Sequence, residues 1–424
     1  VSAEPVERTA DATEQAGWTA SARSQTAAVV GLLDRPLTSY YLVLGCTMML
    51  LGLGLTMVLS ASSVSQLQKT GSAFTLVQKQ AMWMALGLPA MWVAARLQVK
   101  AFRALAYPLL LLSAIALSMA LIPGLGREAG GATRWIDFGF VQLQPSEPAK
   151  LALVLWGADL LARKEKLKLL TDWRQLLVPL LPATGVLVLL VMFGSDLGTT
   201  LVLLTIFLAL LWVIGAPGRL FLGMSGLICL LVAILIVVEP YRMRRLTGFL
   251  DPSGDPLGDR YQGMQGLYAV ATGGWFGTGL GESRAKWDYL PHAETDFIFA
   301  IIGEELGLIG TLVVLGLFGL LAYAGLRIAR RVKDPFMRLA ASGATAWLVV
   351  QAIVNIGAVI GVLPITGIPL PLVSYGGSAL IPTLIALGML LAFAKREPGA
   401  RQALAARGPG PASRALSWLG LARR

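Results

Sequence analysis

Asp296 has the setting that most invites chemistry. It stands in Glu294-Thr295-Asp296-Phe297-Ile298-Phe299, where a long polar segment runs into an apolar one. An ionisable group at membrane depth is costly and is a functional candidate by default. Two compatible readings are open. In one, Thr295 or Asp296 caps a helix by satisfying free backbone amides. In the other, Asp296 is a general base beside an anion site, because the segment ahead of it carries Arg242, Arg244, Arg245, Arg260, Arg284 and Lys286. Glu304 and Glu305 lie two turns deeper and read as internal polar contacts across a helix bundle. Glu147 and Lys150, in Gln144-Pro145-Ser146-Glu147-Pro148-Ala149-Lys150, are three residues apart and can pair on one helical face. That pair is either a first-turn acid neutralised by its neighbour, or a cavity wall that offers Lys150 to an anion. Ser195-Asp196 reads as a cap at a turn. Gln351 and Asn355, at i and i+4, read as interhelical hydrogen-bonding groups.

Backbone pattern marks a further wall. Leu363-Pro364-Ile365-Thr366-Gly367-Ile368-Pro369-Leu370-Pro371 is followed by Ser374-Tyr375-Gly376-Gly377-Ser378. Prolines this dense bar a regular helix, and paired glycines allow close backbone approach. Irregular backbone at such depth is tolerated only where protein buries it or it lines a wet cavity. The Gly-Thr-Gly-Leu-Gly run at 277–281 lacks the flanking strand and helix of a nucleotide loop. With one histidine (His292) and two cysteines (Cys46, Cys229), neither a multi-histidine metal site nor a disulfide framework is expected.

The elements that position these residues are membrane helices. The chain is 56% hydrophobic and only 14% charged, too apolar for a soluble protein of 424 residues. Its apolar residues fall in blocks of about twenty, the length that crosses a bilayer. Ten spans are predicted: 40–61, 76–95, 102–122, 146–162, 176–193, 197–213, 219–238, 297–326, 339–361 and 377–394. This is an all-α polytopic membrane protein with a large extracytoplasmic loop, 239–296, between the seventh and eighth helices. Short amphipathic or re-entrant pieces are expected there. Residues 39–396 form the ten-helix domain, 1–38 a disordered cytoplasmic tail without a cleavable leader, and 397–424 a basic cytoplasmic tail. Cations at Arg96, Lys100, Arg103, Arg163–Arg174, Arg327–Lys333 and Lys395 onward mark one set of loops as cytoplasmic, with both termini on that side. The net charge of +11 then points to anionic lipid and not to nucleic acid.

Pro240-Tyr241-Arg242-Met243-Arg244-Arg245, Gln144 to Glu147, Thr295 to Phe299 with Gly303-Glu304-Glu305-Leu306-Gly307, and Pro369 to Ser378 occur together on this layout. In that order the chain resembles the SEDS family (shape, elongation, division and sporulation) across about 38–396. The Arg-Met-Arg-Arg string points to its division branch first and its elongation branch second. The resemblance implies a peptidoglycan glycosyltransferase that polymerises lipid II at the outer face of the bacterial cytoplasmic membrane, at the division septum. Inversion at the anomeric carbon and release of undecaprenyl pyrophosphate would follow. Asp296 falls on the family's catalytic aspartate. The implied substrate-binding set is Arg134, Glu147, Lys150, Arg242, Arg244, Arg245, Lys286, Ser374, Tyr375, Gly376, Gly377 and Ser378. A divalent cation, Mg2+ or Mn2+, is open as cofactor, with no organic cofactor. Implied partners are a class B penicillin-binding protein, the FtsI-like transpeptidase, and other division proteins. His292 precedes Thr295 by three positions where relatives often place a histidine directly before it, which leaves its role open. A lipid II flippase and a non-catalytic division scaffold are the alternatives.

Overall fold

The computed structural model describes residues 35–129, 132–137, 139, 142–169, 172–250 and 260–406. Helices account for most of them. In chain order these are α1 (Thr38–Thr70), α2 (Thr75–Ala94), α3 (Val99–Ala120), α4 (Ser146–Lys166), α5 (Trp173–Leu177), α6 (Leu180–Phe193), α7 (Leu197–Val213), α8 (Gly218–Val238), α9 (Pro240–Leu250), α10 (Tyr261–Thr272), α11 (Ile298–Arg331), α12 (Pro335–Val359), α13 (Leu380–Ala394) and α14 (Ala400–Ala406). Among the described residues seven stretches are long and apolar enough to cross a membrane: Thr38–Thr70, Val99–Ala120, Trp173–Phe193, Gly218–Val238, Ile298–Arg331, Pro335–Val359 and Gly377–Ala394. Helix α7 is apolar but shorter. The fold is thus that of a polytopic helical membrane protein.

The centre is built by α4, α12 and α13, whose side chains are mostly buried. Helix α4 carries charges into this centre and neutralises them there. Asp159, fully buried, accepts from Arg103 at 2.6 Å and pairs with Arg163 at 2.7 Å. At the opposite extreme, α8 has no buried residue.

Two features lie between the expected helices. Three short strands form an antiparallel sheet in the order β1 (Gly126–Ala129), β2 (Ala132–Asp137), β3 (Gln142–Leu143), with Arg127 opposite Trp135 and Ile136 opposite Leu143. The eighth expected span is broken. At Gly307, φ is 66° and ψ −163°, and the backbone of 273–279 enters the gap. Thr278 N–H donates to Glu304 O at 2.9 Å, Gly279 N–H to Glu305 O at 3.1 Å, and Leu308 N–H to Gly274 O at 2.9 Å. These bonds satisfy the groups that the broken helix leaves open. A Cβ at Gly307 would lie 2.4 Å from Gly277 N, so the approach requires glycine. Gly303, Gly343 and Gly357 likewise face Val270, Val154 and Leu363 of this same chain, so they pack within the bundle.

The large loop holds α9 and α10, in line with the short pieces expected there, and residues 251–259 lie outside the described residues. So do 1–34 and 407–424, which cover most of the two expected tails. The chain does not lose structure at 397. Gly399, at φ 79°, turns it back beside Pro36, and Glu397 and Ala400, the first residue of α14, are buried.

Candidate active site

Asp296 sits on a turn that closes just before α11. His292 adopts a left-handed φ of 59°. Its carbonyl accepts from Thr295 N–H at 3.1 Å and from Phe297 N–H at 3.3 Å. The turn is fastened from two sides. Asn355 of α12 donates through Nδ2 to Asp296 O at 2.8 Å and to Ile368 O at 2.7 Å. Ser374 Oγ donates to Thr295 O at 2.5 Å, and Tyr375 N–H donates to Glu294 O at 3.0 Å. Asn355 and the Pro/Gly-rich loop therefore hold the backbone of Asp296 while leaving its carboxylate alone. No side chain caps α11. Among the described residues the Asp296 carboxylate has no hydrogen-bond donor, so the capping reading does not account for it.

That carboxylate faces a cavity of about 850 Å³. Its wall draws charged or polar groups from many elements, among them Lys79 and Trp83 (α2), Arg134 and Trp135 (β2), Glu147 and Lys150 (α4), Asp196 and Thr199 (the start of α7), Arg245 (α9), and the 367–377 loop with Tyr375, Gly376 and Gly377. Burial pushes the Asp296 carboxyl above the usual carboxylate range. The charges of His292, Arg134 and Arg245 pull it back, and Asp196 adds to the rise.

Arg134 reaches the site because the sheet folds over the bundle; its Nη1 lies 3.8 Å from Asp196 Oδ1. Asp196 caps α7, accepting from Thr199 N–H at 3.0 Å and Thr199 Oγ1 at 2.8 Å, and it also accepts from Gln144 Nε2 at 3.4 Å. The expected cap is real, and the same carboxylate lines the cavity. Arg245 donates to Ile365 O at 3.2 Å. Below them, Lys150 is almost wholly buried, bonded to Glu147 Oε1 at 2.8 Å and Gln351 Oε1 at 3.0 Å, and placed over the Trp347 ring at 5.1 Å. Glu147 and Lys150 neutralise each other and also line the cavity, with the ammonium of Lys150 turned to Glu147 and Gln351.

Other expected site residues lie elsewhere. Lys286 is buried against Glu305, 3.6 Å away, and donates to Gly281 O. Arg242 donates to Leu235 O at 2.9 Å, and Arg244 is exposed. None of these three lines the cavity. Ser374 and Ser378 are buried fasteners, the latter accepting from Gln144 N–H at 3.0 Å. Sequence spacing did not single out Lys79, Trp83, Trp135 or Gln262, which come from distant segments.

A divalent cation held by protein groups alone does not fit this donor set. Among the described residues no three His, Cys, Asp or Glu side chains gather to hold one. Glu147 and Asp196 are already committed to Lys150 and to Thr199, Gln144 and Arg134.

The family model for FtsW, RodA and SpoVE, described as "Cell cycle protein", matches residues 40–398. A probable peptidoglycan glycosyltransferase FtsW of Mycobacterium tuberculosis is 44% identical over 406 residues, covering 95% of this chain and 76% of that one. Stage V sporulation protein E of Bacillus subtilis is 43% identical over 277 residues, covering 65% of this chain and 75% of that one. Among solved structures, a chain from a peptidoglycan synthase complex that coordinates polymerization and crosslinking superposes with a TM-score of 0.68 at 31% identity. The rod shape determining protein RodA of Thermus thermophilus superposes with a TM-score of 0.60 at 29% identity. Each alignment covers 84% of this chain and 97% of the other.

Proposed function

The chain belongs to the FtsW/RodA/SpoVE family, and from that membership we propose the following activity and mechanism. The protein is a peptidoglycan glycosyltransferase that polymerises lipid II into glycan strands during cell division. The observation that carries the mechanism is the Asp296 carboxylate, without a hydrogen-bond donor among the described residues, in a cavity that also presents Arg134 and Arg245. Asp296 takes the proton from the acceptor sugar's 4-hydroxyl as that oxygen attacks the donor's anomeric carbon. The bond to the lipid pyrophosphate breaks on the opposite face, so the anomeric centre inverts. Arg134 and Arg245 stabilise the charge that builds on the leaving group. Glu147 and Lys150 form a neutralised floor below, and Tyr375 to Gly377 give a close backbone wall. The raised position of Asp296 suits a base, since a proton bound there is held more firmly than on an ordinary carboxylate.

The expected topology agrees with this assignment. Ten spans with both termini in the cytoplasm put Asp296 and the 239–296 loop on the outer side of the inner membrane. Placement at the division septum is part of the same proposal, supported by the match to a family described as cell cycle proteins. A class B penicillin-binding protein is the proposed partner, supported by likeness to a chain of a synthase complex that couples polymerization to crosslinking. Co-purification in detergent is expected, and two proteins that never co-purify would remove the partner from this reading. The activity is tested with purified protein and lipid II. Polymer from the natural chain and none from a folded Asp296→Asn variant is the expected result. Lipid II moved across vesicles without polymer would favour a flippase.

A further inference from the structure

His292 lines the same cavity as Asp296, is exposed, and is the chain's one histidine. The two bonds to its own carbonyl close 292–297 into one turn, which sets His292 and Asp296 on one wall. Its backbone is left-handed, a conformation that histidine adopts more often than most side chains do. Asp296 is half-buried and has no hydrogen-bonded group among the described residues through which a proton could leave. The other charged groups lining the cavity are Lys79 from α2, Arg134 from β2, Glu147 and Lys150 from α4, Asp196 at the start of α7 and Arg245 from α9, and Glu147 is bonded to Lys150. Arginine stays protonated and cannot accept a proton, while Asp196 is committed to Thr199, Gln144 and Arg134. Imidazole is the side chain that both gains and loses a proton near neutral pH.

We propose that His292 is the proton outlet of this site, accepting from Asp296 the proton taken from the acceptor hydroxyl and passing it to water. This rests on the glycosyltransferase reading. In each cycle the acceptor oxygen forms the new bond to the anomeric carbon and its proton goes to Asp296. The bond to pyrophosphate breaks, with the electron pair leaving on the phosphate. The proton then moves from the Asp296 carboxyl to the neutral imidazole, and from imidazolium to bulk water. Asp296 is again ionised and His292 again neutral.

The test is lipid II polymerisation by the full-length natural chain and by His292→Asn. Asparagine tolerates the left-handed backbone, so the turn is kept. The expected result is a kcat at least about tenfold lower with KM little changed, and partial recovery when free imidazole is added. A kcat within twofold of the natural chain across the pH range overturns the proposal. So does a loss that imidazole does not relieve, which would make His292 only a shaper of the turn. A natural chain that makes no polymer overturns the enzyme reading itself, and the outlet with it.

Discussion

Glu304 and Glu305 sit about two turns past Asp296 on the same run of chain, and their surroundings differ completely. Glu304 accepts from Ser283 Oγ at 2.6 Å, Arg284 N–H at 2.8 Å and Ala285 N–H at 3.4 Å. Glu305 accepts from Ser60 Oγ at 2.5 Å and has Lys286 at 3.6 Å. Both are buried and hold the 273–286 segment against α11, Glu304 with both of its oxygens and Glu305 with one. Asp296 has its backbone fastened by Asn355 and its carboxylate left to the cavity. A saturated buried carboxylate is a structural fastener, whereas one fixed in place but given no donor retains its capacity to act on something else.

That contrast can be broken most severely at Asp296. Asp296→Asn is expected to lower polymerisation by about 10²–10⁴-fold while the protein stays folded. Its stability should move the other way. Burial raises the folded value for Asp296, so its contribution to stability is full below the unfolded value and lost as pH rises through the folded one. At neutral pH the Asn variant is therefore expected to unfold no earlier than the natural chain, with any advantage shrinking as pH falls. A thermal midpoint well below the natural chain's at neutral pH would mean that Asp296 is itself a fastener. Glu304→Ala should behave oppositely. It strands a buried hydroxyl and two backbone donors, so a loss of about 3 kcal/mol is expected, read as an earlier thermal transition in detergent. Activity per folded molecule should survive. A Glu304→Ala protein that is stable but inactive would erase the distinction. The smallest effect is expected at Arg245→Ala, where one of several cations lining the cavity is removed. Lipid II affinity, measured directly, should fall about tenfold, and an unchanged affinity would return Arg245 to a role in holding Ile365.

Much of the site was legible locally. The Glu147–Lys150 pair follows from spacing on one helix, and it forms as a pair. The Pro/Gly pattern at 363–378 announced irregular backbone against a cavity, and Gly367, Tyr375, Gly376 and Gly377 line one. The strands between Gly126 and Leu143 are not legible as elements, because Arg134-Trp135-Ile136-Asp137 puts two apolar residues side by side and lacks the alternation of a half-buried strand. The break at Gly307 was not legible, because its cause is a loop about thirty residues earlier that enters the helix.

By itself the sequence determined the helical membrane class and the place of Asp296 at the mouth of α11, since hydropathy and the polar-to-apolar boundary are properties of the local chain. Only the tertiary structure decided which cations serve that acid. Arg134 and Arg245 reach the cavity, and Lys286, Arg242 and Arg244 do not, although four of these five lie on the one loop before Asp296. A flexible cation goes to whichever carboxylate or carbonyl the packing places beside it. For Lys286 that is Glu305 on α11, and for Arg242 it is Leu235 on α8. Such choices depend on contacts between distant segments, which nearness in the chain does not encode.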